Sequence, residues 1–327
     1  MKPSICIFGA GAVGGYIASK LETAGTLVSV VARGPQLAAI QHHGLLLQSE
    51  GKGTVTHPNA VVSGEAIGPQ DYLLITLKTH SIRPALEQLR LLVGPRTTIV
   101  AMENGIPWWY THGLPDPFTD RRIETIDPGG DVWAALPPAQ CLGCVLYLAA
   151  DVPEPGVVNH MSGNRVVLGE PDGALSDRVS TLSALLFEAG IEAPVSPAIC
   201  DEIWLKLRAN MAVNPISALT TATMDLVTSD KDSLPVVRSM MREGQAVGEA
   251  LGVRFATSVE EQIEQVYRVG HHKTSMLQDL EQGRSLEVEA ILGSVVEMAG
   301  WVGVDVPTSE VMLGLLRQRA AMSHDPT

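Results

Sequence analysis

The sequence predicts an α/β domain with a mainly parallel sheet at residues 1–196, followed by an all-helical domain at residues 197–327. Three observations support this division. Short apolar segments alternate with helical patterns through the first part, which is typical of a parallel sheet. A glycine-rich turn follows the first apolar segment, and from Pro197 onward every pattern is helical.

The glycine-rich turn joins a predicted strand at residues 4–8 to a predicted helix at residues 16–24. Glycines at this spacing allow a sharp turn, close approach of the backbone to a pyrophosphate, and tight packing of helix on strand. The helix N-terminus then presents N–H groups to the phosphates. The pattern predicts a Rossmann-type dinucleotide site formed by Gly9, Ala10, Gly11, Ala12, Val13 and Gly14.

Arg33 follows the second predicted strand, residues 28–32, where the chain would reach the adenosine ribose. A free 2′-hydroxyl calls for Asp or Glu at this place, whereas arginine suits a 2′-phosphate. We therefore predict NADP(H) as the cofactor. A solvated loop arginine is the alternative, because Gly34 and Pro35 come next.

Two polar residues follow later predicted strands: Lys78 after residues 71–76, and Asn104 after residues 97–102. Ligands of parallel sheets bind at the carboxyl ends of the strands. Lys78 is therefore expected to meet cofactor phosphates, and Asn104 to hydrogen-bond ribose or substrate. The alternatives are an exposed lysine and a turn asparagine before Gly105.

Residues 108–138 interrupt the alternation of strands and helices. They are rich in Pro and Gly, have no clear period, and carry Trp108, Trp109, Tyr110 and Trp133. The aromatic side chains argue against disorder, so we expect either a lid over the active site or a surface excursion that they anchor. The other predicted elements of this domain are strands at 45–48, 142–149, 156–160 and 165–168, extended segments within 55–62 and 191–195, and helices at 81–92 and 175–189.

The composition excludes several classes of partner. The chain has 23 Lys and Arg against 36 Asp and Glu, a net charge of −13, and no basic cluster. This argues against nucleic acid or an anionic membrane as a partner. No apolar run approaches the roughly 18 residues of a membrane span, and the apolar run after the opening Met-Lys-Pro is too short for a signal peptide, so a cytoplasmic protein is expected. The tail at residues 323–327 is expected to be disordered.

The cysteines and histidines predict neither a disulfide nor a metal site. Cys141 and Cys144 lie in a predicted strand, where residues three apart point to opposite faces, so we interpret them as core residues. The pairs His42-His43 and His271-His272 lack the further ligands that a metal needs.

Lys206, Asn210 and Asn214 are spaced i, i+4 and i+8 in the first predicted helix after Pro197. This spacing places one cation and two amides along one stripe of the helix. Asparagine is a poor helix former, so two in register beneath a lysine indicate a functional surface. A solvated Lys206 paired with Glu202 is the alternative for the lysine.

The chain resembles ketopantoate reductases (2-dehydropantoate 2-reductases) over nearly its whole length. The matching motifs are residues 9–14, Arg33, residues 76–78, Asn104-Gly105, residues 204–215, residues 275–279, and Gly283-Arg284 with Glu287. The resemblance implies reduction of the ketone of 2-dehydropantoate by NADPH on the route to pantothenate. It also implies a Rossmann domain and a helical C-terminal domain with the substrate between them, and points to a homodimer through the helical domain.

The same resemblance implies roles for individual residues. Lys206 would be the general acid, and Glu287 its partner at the nicotinamide ribose. Substrate binding would involve Asn104, Lys206, Asn210, Asn214 and Ser275. Cofactor binding would involve residues 9–14, Arg33, Lys78, Asn104, Ala149 and Glu287.

Some residues depart from the family pattern, and all of them concern the substrate side. Residues 108–138 form a longer segment than in compact members, His272 replaces a frequent asparagine, and Met224 lies in a region that is usually more polar. One alternative is therefore an NADPH-dependent reductase of another small 2-oxo acid or of a bulkier ketone. A second is a dinucleotide-sensing protein without turnover.

Overall fold

A computed structural model describes residues 2–322, and the predicted disorder of residues 323–327 concerns residues outside that range. The described chain divides into two compact units. The first contains the chain up to Glu103 together with Trp108–Arg121 and Gly130–Ile199. The second contains the chain from Cys200 together with two short earlier segments, Asn104–Pro107 and Arg122–Gly129.

The first unit is built on one mixed sheet flanked by helices. The strands are β1 (Ile5–Phe8), β2 (Val28–Val31), β3 (Leu45–Ser49), β4 (Lys52–Thr56), β5 (Asn59–Val61), β6 (Tyr72–Ile75), β7 (Thr98–Ala101), β8 (Cys141–Asp151) and β9 (Val157–Gly169). The helices are α1 (Ala12–Thr23), α2 (Gly34–His43), α3 (Thr79–Ile82), α4 (Leu86–Arg90), α5 (Asp131–Ala135) and α6 (Asp177–Glu188).

The strand order is β4-β3-β9-β8-β7-β6-β1-β2-β5. The strands from β5 to β8 in this order pair in parallel, whereas β8 with β9 and β3 with β4 are antiparallel. The predicted fold class, an N-terminal Rossmann-type domain with a mainly parallel sheet, is confirmed. β1 lies in the middle of the parallel part and is fully buried, as its run of apolar residues indicates.

Two element predictions in this unit were wrong in detail. The predicted strands at 156–160 and 165–168 form one strand, β9, because Ser162-Gly163-Asn164 makes an irregularity in the strand and not a turn. Gly163 has φ +75°, and a Cβ there would lie 2.4 Å from the carbonyl oxygen of Tyr147. The predicted helix at 81–92 is split into α3, a 3₁₀ turn (Arg83–Ala85) and α4, because Pro84 cannot donate a helical hydrogen bond.

The beginning of the aromatic-rich segment is folded into the core of the first unit, whereas its middle part, Arg122–Gly129, belongs to the second unit. Trp108, Trp109 and Tyr110 are fully buried, and Trp108 Nε1 donates a hydrogen bond to the carbonyl oxygen of Leu136 at 3.1 Å. Residues that bury this much apolar surface act as anchors. This geometry favours the anchored excursion over a lid for these three side chains.

The second unit is helical. Its helices are α7 (Ile199–Thr220), α8 (Met224–Ser229), α9 (Leu234–Ala250), α10 (Val259–Arg268), α11 (Ser275–Glu281), α12 (Ser294–Val302) and α13 (Pro307–Met322). A π-helical turn, Glu289–Gly293, immediately precedes α12. None of the helices within residues 2–322 has the length and hydropathy of a membrane span.

Helix α7 is held in place by a buried arginine. Arg208 is 0 % exposed, and its guanidinium donates to Gln262 Oε1 at 2.6 Å and to Gln245 Oε1 at 2.7 Å. Gln262 in turn donates to the carbonyl oxygen of Leu205 at 2.6 Å. Burial lowers the pKa of Arg208. Because these bonds join α7 to α9 and α10, they hold the part of α7 that carries Lys206.

Candidate active site

The candidate cofactor site of the first unit is the glycine turn at the carboxyl end of β1. Gly9 has φ +111°, and its N–H donates to the carbonyl oxygen of Val31 at 3.0 Å. Its own carbonyl oxygen accepts the Thr76 hydroxyl at 2.5 Å. The turn is therefore fixed to β2 on one side and to the end of β6 on the other.

The glycines of the turn meet different surroundings. A Cβ on Gly14 would lie 2.0 Å from the carbonyl oxygen of Gly9, so helix and strand approach too closely for any side chain there. At Gly11, which is exposed, no heavy atom lies within 4 Å of the place a Cβ would take. In the described part of the chain, no side chain caps the N-terminus of α1. The turn thus leaves open backbone and uncapped N–H groups, which is the surface that a pyrophosphate requires.

Gln36 supports this turn, and the sequence analysis missed it. Its Nε2 donates to the carbonyl oxygen of Ala10 at 2.7 Å, and its Oε1 accepts the N–H of Gly156 at 3.0 Å. The signal available in the sequence was weak: a glutamine in the first turn of α2, three residues after Arg33.

Arg33 and Lys78 flank the turn on neighbouring strands. Arg33 follows β2, Lys78 follows β6, and both strands pair directly with β1. Arg33 is exposed, and within residues 2–322 its guanidinium has no hydrogen bond or ion pair, while Lys78 is half-buried. Two cations therefore lie at the same edge of the sheet as the glycine turn, as expected for groups that meet phosphates.

The candidate catalytic site of the second unit is a cluster of three side chains. Lys206 Nζ donates to Asn104 Oδ1 at 2.9 Å, and Asn104 Nδ2 donates to Glu287 Oε2 at 3.3 Å. The amide oxygen thus faces the ammonium and the amide nitrogen faces the carboxylate, as the charges require. Asn104 follows β7 in sequence but belongs to the helical unit.

The two asparagines of the α7 stripe extend from this cluster. Asn210 is half-buried, whereas Asn214 is 4 % exposed and its Nδ2 has no hydrogen-bond partner within residues 2–322. A buried amide without a partner costs about 1–3 kcal/mol, so such groups often serve a ligand. The predicted stripe of one cation and two amides therefore has a donor available for a substrate.

The other residues predicted for the site are Ser275 and Ala149, and their surroundings are different. Ser275 is exposed at the start of α11, which Thr274 caps by accepting the N–H of Leu277 at 3.2 Å. Arg284 Nε donates to Asp279 Oδ1 at 2.8 Å and ties α11 to the segment that leads to Glu287. Ala149 lies in β8 between two irregularities of its pairing with β9.

The cysteines have no feature of a reactive site. Cys6, Cys141 and Cys144 are buried, and burial raises the pKa of Cys6 to about 12 and that of Cys141 well above its usual value. Across residues 2–322, no three side chains of His, Cys, Asp or Glu come together as metal ligands.

Comparison with known proteins places this chain in one family over both units. The family model "Ketopantoate reductase PanE/ApbA" matches residues 5–173, and its C-terminal counterpart matches residues 198–320. A 2-dehydropantoate 2-reductase from Mesorhizobium japonicum is 45 % identical over 317 residues, 97 % of each chain. One from Caulobacter vibrioides is 27 % identical over 97 % of this chain and 99 % of its own.

Solved structures agree with this placement. A candidate ketopantoate reductase from Ralstonia solanacearum MolK2 has a TM-score of 0.94 at 37 % identity, covering 98 % of this chain and 99 % of its own. The 2-dehydropantoate 2-reductase of Geobacter metallireducens GS-15 has a TM-score of 0.85 at 28 % identity, covering 96 % and 99 %. From its glycine turn to its last helices, the chain belongs to the ketopantoate reductase PanE/ApbA family.

Proposed function

We propose that this protein reduces 2-dehydropantoate to pantoate with NADPH, and that Lys206 is the general acid. The observation that carries the proposal is the Lys206–Asn104–Glu287 cluster, in which a cation and a carboxylate are bonded to one amide. The 45 % identical relative from Mesorhizobium japonicum, a 2-dehydropantoate 2-reductase, supports the substrate.

The reaction adds one hydride and one proton to a ketone, which is a two-electron reduction. Reduced nicotinamide, when bound, supplies a hydride to the carbonyl carbon. Negative charge then grows on the carbonyl oxygen, where the Lys206 ammonium donates a hydrogen bond and finally a proton. Asn104 holds the Lys206 amine through Oδ1 and is itself held by Glu287. The product is an alcohol, and Lys206 regains its proton from solvent.

The α7 amides are suited to the rest of the substrate. The unpartnered Nδ2 of Asn214 can donate to a carboxylate or hydroxyl oxygen. Asn210 lies one turn closer to Lys206 on the same stripe, and Ser275 offers a further hydroxyl. We assign these three residues to substrate binding.

The residues of the first unit fit a phosphorylated dinucleotide. Gly11 leaves room for the pyrophosphate, and the uncapped N-terminus of α1 supplies N–H donors. Arg33 is available for a 2′-phosphate, and Lys78 for the diphosphate. We assign these residues to NADP(H), with Ala149 contributing backbone and Glu287 meeting the nicotinamide ribose.

Arg33→Ala is expected to raise KM for NADPH by about 10- to 100-fold, because charge-assisted hydrogen bonds contribute about 1.5–3 kcal/mol. KM for NADH should stay unchanged, since NADH lacks the 2′-phosphate. Steady-state kinetics with both cofactors measure this, with Arg90→Ala as the control at an exposed arginine of α4. An unchanged preference for NADPH in the Arg33 variant would remove Arg33 from the cofactor site.

The substrate is tested by initial rates of NADPH oxidation with 2-dehydropantoate and a panel of larger 2-oxo acids. We expect 2-dehydropantoate to have the highest kcat/KM. The panel includes aromatic 2-oxo acids, because a D-mandelate dehydrogenase, solved with NADH and anilino(oxo)acetate, shares this fold at a TM-score of 0.83 and 21 % identity. A clear preference for such an acid would replace the proposed substrate. Tight NADPH binding without oxidation by any ketone would favour a dinucleotide sensor.

We further propose that the enzyme acts in the cytoplasm as a homodimer formed through the helical unit. Val311, Leu315 and Met322 are exposed apolar residues of α13, with 64 %, 47 % and 66 % of their residue surface exposed. A ketopantoate reductase from Staphylococcus aureus that is described as dimeric shares the fold at a TM-score of 0.76 and 21 % identity.

A further inference from the structure

The π-helical turn Glu289–Gly293 begins two residues after Glu287. The N–H of Ser294 donates to the carbonyl oxygen of Glu289, five residues earlier, as a π-helix requires. Such turns are rare and occur often at functional sites. The contact of this turn with the segment Asn104–Pro107 gives a physical reason for it.

The carbonyl oxygen of Ala290, inside the π turn, accepts one hydrogen bond from a segment distant in sequence and one from a side chain four residues later. The N–H of Ile106 donates to it at 3.0 Å, and the hydroxyl of Ser294 donates to it at 2.9 Å. Ser294 is 0 % exposed. The turn thus binds the segment Asn104–Pro107 directly, two residues after Asn104.

Gly105 makes this approach possible. It has φ +86°, and a Cβ there would lie 2.2 Å from the oxygen and 2.5 Å from the carbon of the Ala290 carbonyl. A side chain at this position would push the segment off the π turn. The residue that would move with it is Asn104, the neighbour of Gly105.

We propose that the π turn, through the Ala290 carbonyl and Ser294, is a positioning device that holds Asn104 between Lys206 and Glu287. The turn is connected to both members of the Asn104–Glu287 bond: it follows Glu287 in sequence, and it binds the chain beside Asn104. Gly105 and Ser294 are positioning residues, because they act through Asn104. The inference rests on the proposed role of Lys206 in catalysis.

Loss of this support has a specific consequence for the chemistry. When the amide of Asn104 moves, the Lys206 ammonium loses the hydrogen bond to Asn104 Oδ1 that helps to orient it. The proton donor is then misplaced relative to the carbonyl oxygen, so kcat falls while NADPH affinity does not. A loss of packing alone would lower stability without lowering kcat.

The test uses Ser294→Ala in the full-length protein, with Ser183→Ala as the control. Ser183 also donates its hydroxyl to a backbone carbonyl, that of Ala193 at 2.5 Å, but lies in the first unit. We expect Ser294→Ala to lower kcat by about 10-fold or more, because small misplacements of positioning groups cost up to about 10²-fold. NADPH affinity should be unchanged. The substrate is whichever 2-oxo acid the wild-type enzyme reduces fastest.

A second variant tests the close approach itself. Gly105→Ala should lower kcat further, whereas Gly252→Ala, at φ +94° with no heavy atom within 4 Å of the added Cβ, carries the same backbone strain without the clash. If Gly105→Ala does not fold, the kcat of Ser294→Ala alone tests the proposal. Wild-type kcat in Ser294→Ala, even with a lower Tm, would overturn the inference.

A readout that needs no turnover separates this inference from the proposed function. The side-chain amide resonance of Asn104, identified by its loss in Asn104→Ala, is followed by NMR in protein labelled on asparagine. It should shift in Ser294→Ala and stay in place in Ser183→Ala. A wild-type protein that reduces no 2-oxo acid would defeat the proposed function, whereas an unshifted resonance in Ser294→Ala would defeat the positioning role.

Discussion

Lys206→Ala is expected to lower kcat by about 10²-fold or more, the usual contribution of a general acid. The reason is that the variant leaves no ammonium at Asn104 Oδ1 to receive the charge that grows on the carbonyl oxygen. Affinity for NADPH should change little, because the residues that we assign to its phosphates lie in the first unit. Steady-state kinetics and a separate NADPH titration measure the two effects.

The matched control for this variant is Lys231→Ala, since Lys231 is an exposed lysine of the same unit. It removes the same charge from the second unit and should keep wild-type kcat. Retention of wild-type kcat by Lys206→Ala would end the candidacy of Lys206 as the proton donor. A loss in NADPH affinity equal to the loss in kcat would instead mean that Lys206 serves the cofactor.

Gly14→Ala is expected to reduce the stability of the protein, and Gly11→Ala is expected to reduce its affinity for NADPH. The two variants differ in this way although they make the same chemical change three residues apart. Gly14→Ala should lower the free energy of unfolding by about 3 kcal/mol or more, since its Cβ would meet the Gly9 carbonyl oxygen at 2.0 Å and neither backbone can yield freely. Gly11→Ala should fold with nearly wild-type Tm, because Gly11 has φ −78° and open space around it. Its NADPH affinity should nevertheless fall by about 10²-fold or more, as the methyl group keeps the pyrophosphate from the backbone N–H groups.

Thermal unfolding without cofactor and an NADPH titration of each variant separate the two effects. Gly300→Ala is the control, because Gly300 is also exposed with no heavy atom within 4 Å of an added Cβ. Wild-type NADPH affinity in Gly11→Ala would mean that the pyrophosphate does not approach this turn. A Gly14→Ala variant as stable as the wild type would mean that α1 and β1 can separate without cost.

The sequence predicted the parts of the fold that depend on neighbouring residues. Alternating apolar segments predicted the parallel sheet, and the spacing of Gly9, Gly11 and Gly14 predicted the turn after β1. Errors arose where local signals were overridden. Ser162-Gly163-Asn164 has the composition of a turn, yet pairing with β8 draws it into one long strand.

For the candidate site, the sequence determined which groups are available but not how they meet. The i, i+4, i+8 spacing puts Lys206, Asn210 and Asn214 on one stripe, because helical periodicity alone decides that. The spacing of residues in the sequence could not show whether Lys206 pairs with Glu202 or with a residue that is distant in sequence. The contact with Asn104 spans 102 positions, and the contact between Asn104 and Glu287 spans 183.

The amino-acid sequence by itself thus determined the fold class, the glycine turn and the polar stripe of α7, since periodicity and turn chemistry act over a few residues. Only the tertiary structure decided that Asn104 belongs to the helical unit and that a π turn lies against Gly105. The physical reason is that the Ala290 carbonyl receives the N–H of Ile106 only after segments distant in sequence have packed, whereas the Ser294 hydroxyl lies four residues away in the same helical stretch.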